Sequence, residues 1–143
     1  MKIAWTKKMS VYYEKIDSQH KKLLDTLEEL RKELSSGVDM NTLRKTLDFL
    51  SKYITQHLDY EEAYLIEHKY PDFDKHKAIH DKFRAYYKDF GDRFRKVYSM
   101  NNFSSRDIEV LVTDAERFLA DWWLGHIQKD DHKYAVFIKT NFG

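Results

Sequence analysis

Two residue pairs at four-residue spacing carry the chemistry legible in this sequence: His57 with Glu61, and His76 with His80. Residues four apart stand on one face of a helix, so each pair can aim at a single point. His20 and His126 hold comparable places on two further apolar stripes. An ionisable group buried without a partner costs several kcal/mol, so one histidine on an apolar face is ordinarily a hydrogen-bonded core residue. Five imidazoles and a carboxylate at leucine-like positions are a different case, best stabilised by metal coordination. Imidazole with carboxylate suits iron, manganese or zinc, and the set is too large for one tetrahedral zinc. A dinuclear site would use it fully.

The elements that must position these groups follow from 3.6-residue periodicity. The first stripe is Ile16, His20, Leu23, Leu24, Leu27, Leu30 and Leu34, with Asp17 or Ser18 as candidate cap and Gly37 as stop. The second opens at Asp39 or Asn41 and runs Leu43, Leu47, Leu50, Ile54, His57, Glu61 to Tyr64 or Leu65, ending at Tyr70-Pro71-Asp72. The third is Phe73, His76, His80, Phe83, Tyr87, Phe90, Phe94 and Val97, fading at Ser99-Met100-Asn101-Asn102. Ser104 to Asp107 has the form of a capping box for the fourth, which carries Ile108, Leu111, Ala115, Phe118, Leu119, Trp122 and His126.

The expected fold is all-α, an up-down-up-down four-helix bundle with an N-terminal arm (1–16), helices at about 17–36, 39–68, 72–98 and 104–129, and a short, partly apolar tail. In that topology His20 lies near the start of the first helix and His57 and Glu61 near the end of the second. His76 and His80 begin the third helix, and His126 ends the fourth. All six fall at one end of an antiparallel bundle, a condition that played no part in choosing the helices.

Composition narrows the function. A chain of 143 residues fits a single domain spanning 1–143. Its formal charge of +1, without a concentrated basic block, argues against nucleic acid as partner. The absence of cysteine excludes disulfides, iron–sulfur clusters, thiolate zinc sites and a cysteine nucleophile. No stretch approaches 18 apolar residues and Met1 to Ser10 lacks the apolar region of a signal peptide, so a cytoplasmic protein with no membrane partner is expected.

The spacings Ile16-Asp17-Ser18-Gln19-His20, His57-x3-Glu61-Glu62, Tyr70-Pro71, His76-x3-His80 and Trp122-x3-His126-Ile127-x3-Asp131 together resemble the hemerythrin family, over nearly the whole chain. The resemblance implies two iron ions (ferrous or ferric) joined by an oxo or hydroxo bridge. His76, His80 and His126 would hold one iron, His20 and His57 the other, with Glu61 and Asp131 bridging. It further implies reversible binding of dioxygen as a hydroperoxide for storage, transport or scavenging, and a monomer that is not an enzyme. A di-iron enzyme reducing peroxide or nitric oxide is one alternative, and an oxygen or redox sensor acting through a separate partner is another.

Asp131 is five residues after His126, about 500° around an ideal helix, so it shares that face only if the helix unwinds. Asp130 fits a continuous helix better, but the family register, with Lys133-Tyr134 following, selects Asp131. The dioxygen pocket implied by the resemblance is formed by Leu23, Leu58, Trp122, Trp123 and Ile127. Leu58 stands where relatives often have Phe, Trp123 where they often have Leu, and Val11-Tyr12 replaces a frequent Val-Gly. His68 and His132 match no ligand position and are expected to be exposed, and Glu62 to be a solvated or supporting carboxylate.

Overall fold

The apolar stripes become four long helical rods in the computed structural model of the protein. It describes residues 3–37, 39–99 and 104–143 and, within them, all side chains but those of Glu116 and Phe118. The first three rods are α1 (Glu14–Ser36), α2 (Met40–Glu67) and α3 (Phe73–Ser99). The fourth runs through α4 (Ser105–Asp114), a π turn (Ala115–Ala120), α5 (Asp121–Gly125), a second π turn (His126–Asp131) and α6 (His132–Phe142), with right-handed helical backbone at each junction. Rods α1 and α2 pack together, as do α2 and α3, and α4 closes the bundle against both α1 and α3. No strand occurs among the described residues, and none of their helices is long and apolar enough to cross a membrane.

Two apolar clusters hold the bundle. The larger fills its length with residues such as Leu27 and Leu30 of α1, Leu47 and Leu50 of α2, Phe90 and Phe94 of α3, and Leu111 of α4. The smaller joins Val11, Ile16, Leu65, Tyr70, Tyr134, Ala135 and Ile138. On α1, α2 and the fourth rod the buried residues His20, His57, Glu61, His126 and Asp131 lie in sequence between members of the two clusters, so apolar packing encloses them from both sides. Burying each leucine- or phenylalanine-sized side chain stabilises the fold by about 2 kcal/mol.

The ends of the helices follow local chemistry. Asp39 caps α2 by accepting from the Asn41 N–H, and Ser104 and Asp107 form a reciprocal capping box at α4. Gly37 ends α1 with φ +71°. The end of α2 is a Schellman motif: the Lys69 N–H donates to the Ile66 carbonyl (3.1 Å) and the Tyr70 N–H to that of Leu65 (3.0 Å). Lys69 there takes φ +54°, and Pro71 follows.

Two expectations shift. Neither Asp17 nor Ser18 caps α1, which begins at Glu14. Asp17 is buried and reaches back to the arm, accepting from the Val11 N–H (2.8 Å) and the Ser10 hydroxyl (2.6 Å). The segment expected as a tail is helical through Phe142, because Tyr134, Ala135 and Ile138 recur at helical spacing and pack on Val11, Ile16 and Leu65. The Met100-Asn101-Asn102 stop and the place of the Phe118 side chain lie outside the described residues. Tyr12 adopts φ +61° with the Lys139 ammonium 4.0 Å above its ring. The arm is also pinned at Ile3, whose N–H donates to Glu28 Oε2 (2.6 Å).

Left-handed backbone costs a side chain bearing Cβ roughly 1 kcal/mol relative to glycine. Lys69→Gly is therefore expected to stabilise the protein by about 0.5–1 kcal/mol and Gly37→Ala to destabilise it by about 1 kcal/mol, both read from urea denaturation midpoints at unchanged slope.

Candidate metal centre

Each rod delivers its groups from one turn or from two adjoining turns. On α1, His20 follows Ile16 by four residues; on α2, His57 and Glu61 continue the line from Leu50 and Ile54; on α3, His76 and His80 occupy the first two turns. The fourth rod contributes His126 and Asp131 from the two ends of its second π turn. All seven are buried, with His20, Glu61, His80 and Asp131 completely so.

The structure brings the seven together as two sets of ligand atoms that share Glu61. Glu61, His76, His80, His126 and Asp131 each offer one atom within 4.8 Å of the others, and His20, His57 and Glu61 form the second set. The two carboxylates divide their oxygens between the halves. Glu61 Oε1 lies 2.9 Å from His76 Nε2 and 3.0 Å from His80 Nε2, whereas its Oε2 lies 3.4 and 3.5 Å from those of His20 and His57. Asp131 Oδ1 is 3.2 Å from His76 Nε2 and 3.1 Å from His126 Nε2, and its Oδ2 is 3.1 Å from His20 Nε2. Each carboxylate thus spans both halves.

Unwinding at the second π turn resolves the spacing of Asp131. A π turn closes its hydrogen bonds over five residues rather than four, so residues five apart return to nearly the same face. The two acidic neighbours then divide the work. Asp130 accepts from His126 Nδ1 at 3.0 Å on the outer side of the ring, while Asp131 enters the centre.

Outer partners fix other rings as well. His57 Nδ1 donates to Gln19 Oε1 (2.8 Å), and His80 Nδ1 to Glu62 Oε2 (2.8 Å), which Arg84 clasps at 2.6 Å. Glu62 is therefore a supporting carboxylate. A ring donating through Nδ1 keeps its Nε2 as a lone pair when neutral. His80 Nε2 and His126 Nε2 face each other at 3.1 Å, so two lone pairs would meet unless a proton or a metal cation stands between them. Neither oxygen of Asp131, although fully buried, makes a well-aligned hydrogen bond. Opposed imidazole lone pairs and unsatisfied buried carboxylate oxygens are what a metal-binding donor set presents, and the residues fit two metal ions.

Protons answer the same electrostatic demand in the metal-free chain. Burial pushes His20 and His76 down, but close contacts with Asp131 and Glu61 outweigh it and raise both to about 9. Burial, aided by the charge of His20, lowers His57 to about 3. Burial also opposes ionisation of Glu61, yet its histidine neighbours hold it well below the usual carboxylate range.

Of the residues expected to form the pocket, the two tryptophans lie against these groups. Leu23, Leu58, Trp123 and Ile127 are buried and Trp122 is half-buried. Trp122 stacks on His126 with ring centres 4.5 Å apart; Trp123 lies 5.7 Å from His57 and 6.0 Å from His126. The Trp123 indole N–H is buried and finds no hydrogen-bond partner among the described residues. His132 is exposed, whereas His68 is half-buried and its Nδ1 donates to the Tyr64 carbonyl (2.8 Å) at the end of α2. Gln19, Asp130 and Tyr134 were not singled out as supports by sequence reasoning. The four-residue step from His126 points to Asp130, while nothing local marks Gln19 or Tyr134. The Tyr134 hydroxyl donates to Glu61 Oε2 at 3.0 Å.

The family model for the hemerythrin HHE cation binding domain matches residues 11–138. A bacteriohemerythrin of Methylococcus capsulatus is 31% identical over 118 residues, covering 82% of each chain. A myohemerythrin of Theromyzon tessulatum is 28% identical over 130 residues, covering 91% of this chain and 88% of its own. The solved crystal structure of a leucine-to-phenylalanine mutant superposes with a TM-score of 0.78 at 29% identity, covering 95% of this chain and 97% of that one.

Metal would have to displace protons from His20 and His76, raised to about 9, and from His126, which against the effect of burial is raised well above its ordinary value by Asp131 and Asp130. Affinity for a divalent metal is therefore expected to rise from pH 6.5 through 9. The metal-free fold should behave oppositely. Folded-state values above the ordinary 6.5 contribute stability below pH 6.5, and that contribution is lost as pH rises through about 9. Metal titrations and thermal melts between pH 6.5 and 9 measure the two trends.

Proposed function

Because this chain belongs to the hemerythrin family, we propose that it is a non-haem di-iron protein that binds dioxygen reversibly, for storage, transport or scavenging. One iron would be held by His76, His80 and His126 and the other by His20 and His57, with Glu61 and Asp131 bridging them. The observation that carries this reading is the division of the two carboxylates, each with one oxygen toward either half of the centre. When bound, the iron pair supplies the two electrons that reversible capture of dioxygen requires.

The protein's own residues set the conditions for that chemistry. Unequal histidine counts, three against two, leave the His20–His57 half with the smaller ligand set and hence with room for an external ligand. Leu23, Leu58, Trp123 and Ile127 keep the surroundings apolar and buried, which slows entry of water and protons. Trp122 holds the His126 ring by stacking, and the Tyr134 hydroxyl fixes Glu61. The Trp123 ring lies beside His57 and His126 and carries a buried N–H with no partner among the described residues, a donor able to stabilise a small negatively charged ligand. Among the described residues no acid–base pair beyond the ring-supporting carboxylates stands ready for work on an organic substrate, which favours a binding role over an enzymatic one. In this reading the chain acts as a single cytoplasmic domain.

Iron-loaded protein is expected to contain two irons per chain, to lose its visible charge-transfer absorption on anaerobic reduction and to regain a visible band in air. One metal per chain with no oxo-bridge absorption would sink the reading. Trp123→Leu is expected to speed both association and loss of dioxygen severalfold in stopped-flow measurements, while lowering fold stability by about 2–3 kcal/mol through the space it opens.

A further inference from the structure

The two halves of the centre differ in more than the number of histidines, and every difference points the same way. Around the His76–His80–His126 half, two rings donate through Nδ1 to carboxylates: His80 to Glu62 at 2.8 Å and His126 to Asp130 at 3.0 Å. A carboxylate on the outer nitrogen makes the inner nitrogen a stronger donor, and such partners commonly change metal affinity by roughly 10–100-fold. Around the other half, His57 donates to the neutral carbonyl oxygen of Gln19, and the buried Nδ1 of His20 has no hydrogen-bond partner among the described residues. Neither ring there is backed by a charge.

The shared carboxylate is uneven as well. Tyr134 gives its hydroxyl proton to Glu61 Oε2, the oxygen on the His20–His57 side, and draws electron density away from it. Glu61 Oε1, facing His76 and His80 at 2.9 and 3.0 Å, receives no such hydroxyl. Five mutually close donors on one side thus face three on the other.

From this we infer that the centre loads in order. The half built by His76, His80 and His126 takes its metal first and holds it tightly, and the His20–His57 half fills second and exchanges readily. The inference rests on the dinuclear reading above and adds an order to it, with Gln19, Glu62 and Asp130 as the positioning residues that set the difference. It also makes a half-loaded protein, and one holding two different metals, accessible states.

Titration of the metal-free full chain with Co2+ in the absence of air, followed by calorimetry and by the visible absorption of the bound cobalt, tests the order. Two resolved steps of one equivalent each are expected, the first at least tenfold tighter. Glu62→Gln and Asp130→Asn should weaken the first step by about 10–100-fold, and Gln19→Glu should tighten the second by about tenfold. Circular dichroism of each metal-free variant guards against misfolding, and the Gln19→Glu gain cannot come from a damaged fold. Two equivalents bound with equal affinity, or a second step that Gln19→Glu leaves unmoved, would overturn the ordered loading and leave the dinuclear reading standing. A single equivalent at saturation would instead overturn both.

Discussion

Two carboxylates and five imidazoles withdrawn from water must neutralise one another or be neutralised, and much of the architecture follows from that demand. Glu61 and Asp131 are completely buried, where unpaired charge costs far more than a packed leucine contributes. The bundle meets the demand by converging on one region. Four rods each bring a group from a single level, and apolar clusters lie to either side of it along three of them. A core of leucine and phenylalanine alone would have fixed the helices' packing only loosely. Groups that must meet within 3–4 Å also fix their rotation and their relative height.

Beyond the seven buried groups, a ring of supports converts rough proximity into orientation. Gln19, Glu62 and Asp130 each hold an outer imidazole nitrogen, and Arg84 in turn holds Glu62. These contacts join neighbouring rods, α1 to α2 through Gln19 and α2 to α3 through Glu62, so the polar supports double as braces between helices. Asp17 plays a related part outside the centre by tying the arm to α1 at Val11.

Most of this organisation was legible in the residues themselves. His57 with Glu61 and His76 with His80 reveal their roles through four-residue spacing, and the shared bundle end follows from chain order alone. What escaped was whatever departs from ideal helix geometry or acts across space. Asp17 reads as a cap because its residue type favours one, yet its carboxylate is claimed by the arm. Gln19 precedes His20 and serves a ring on the next helix, which no periodicity within α1 announces. The fourth rod hides its signal in plain view. Leu111, Ala115, Leu119, Trp123, Ile127, Asp131 and Ala135 are all buried at a strict step of four. In an ideal helix each such step drifts by about 40°, so six steps would carry the line roughly two-thirds of the way around. The two π turns absorb that drift.

Those π turns make the register of the fourth rod depend on two stretches of backbone wound wider than an α-helix. A surface loop absorbs an added or lost residue by rearranging, and an ordinary helix end by fraying. Here the surplus residues are built into the middle of an element that serves the centre. Tightening Ala115–Ala120 to α geometry at unchanged length would rotate all that follows by about 100°. Trp123, His126, Asp131 and Tyr134 would leave together, because they ride on one rigid rod. Deletion of one residue from that turn would instead let it close to α geometry with the following rod still in register, so winding and length must change together.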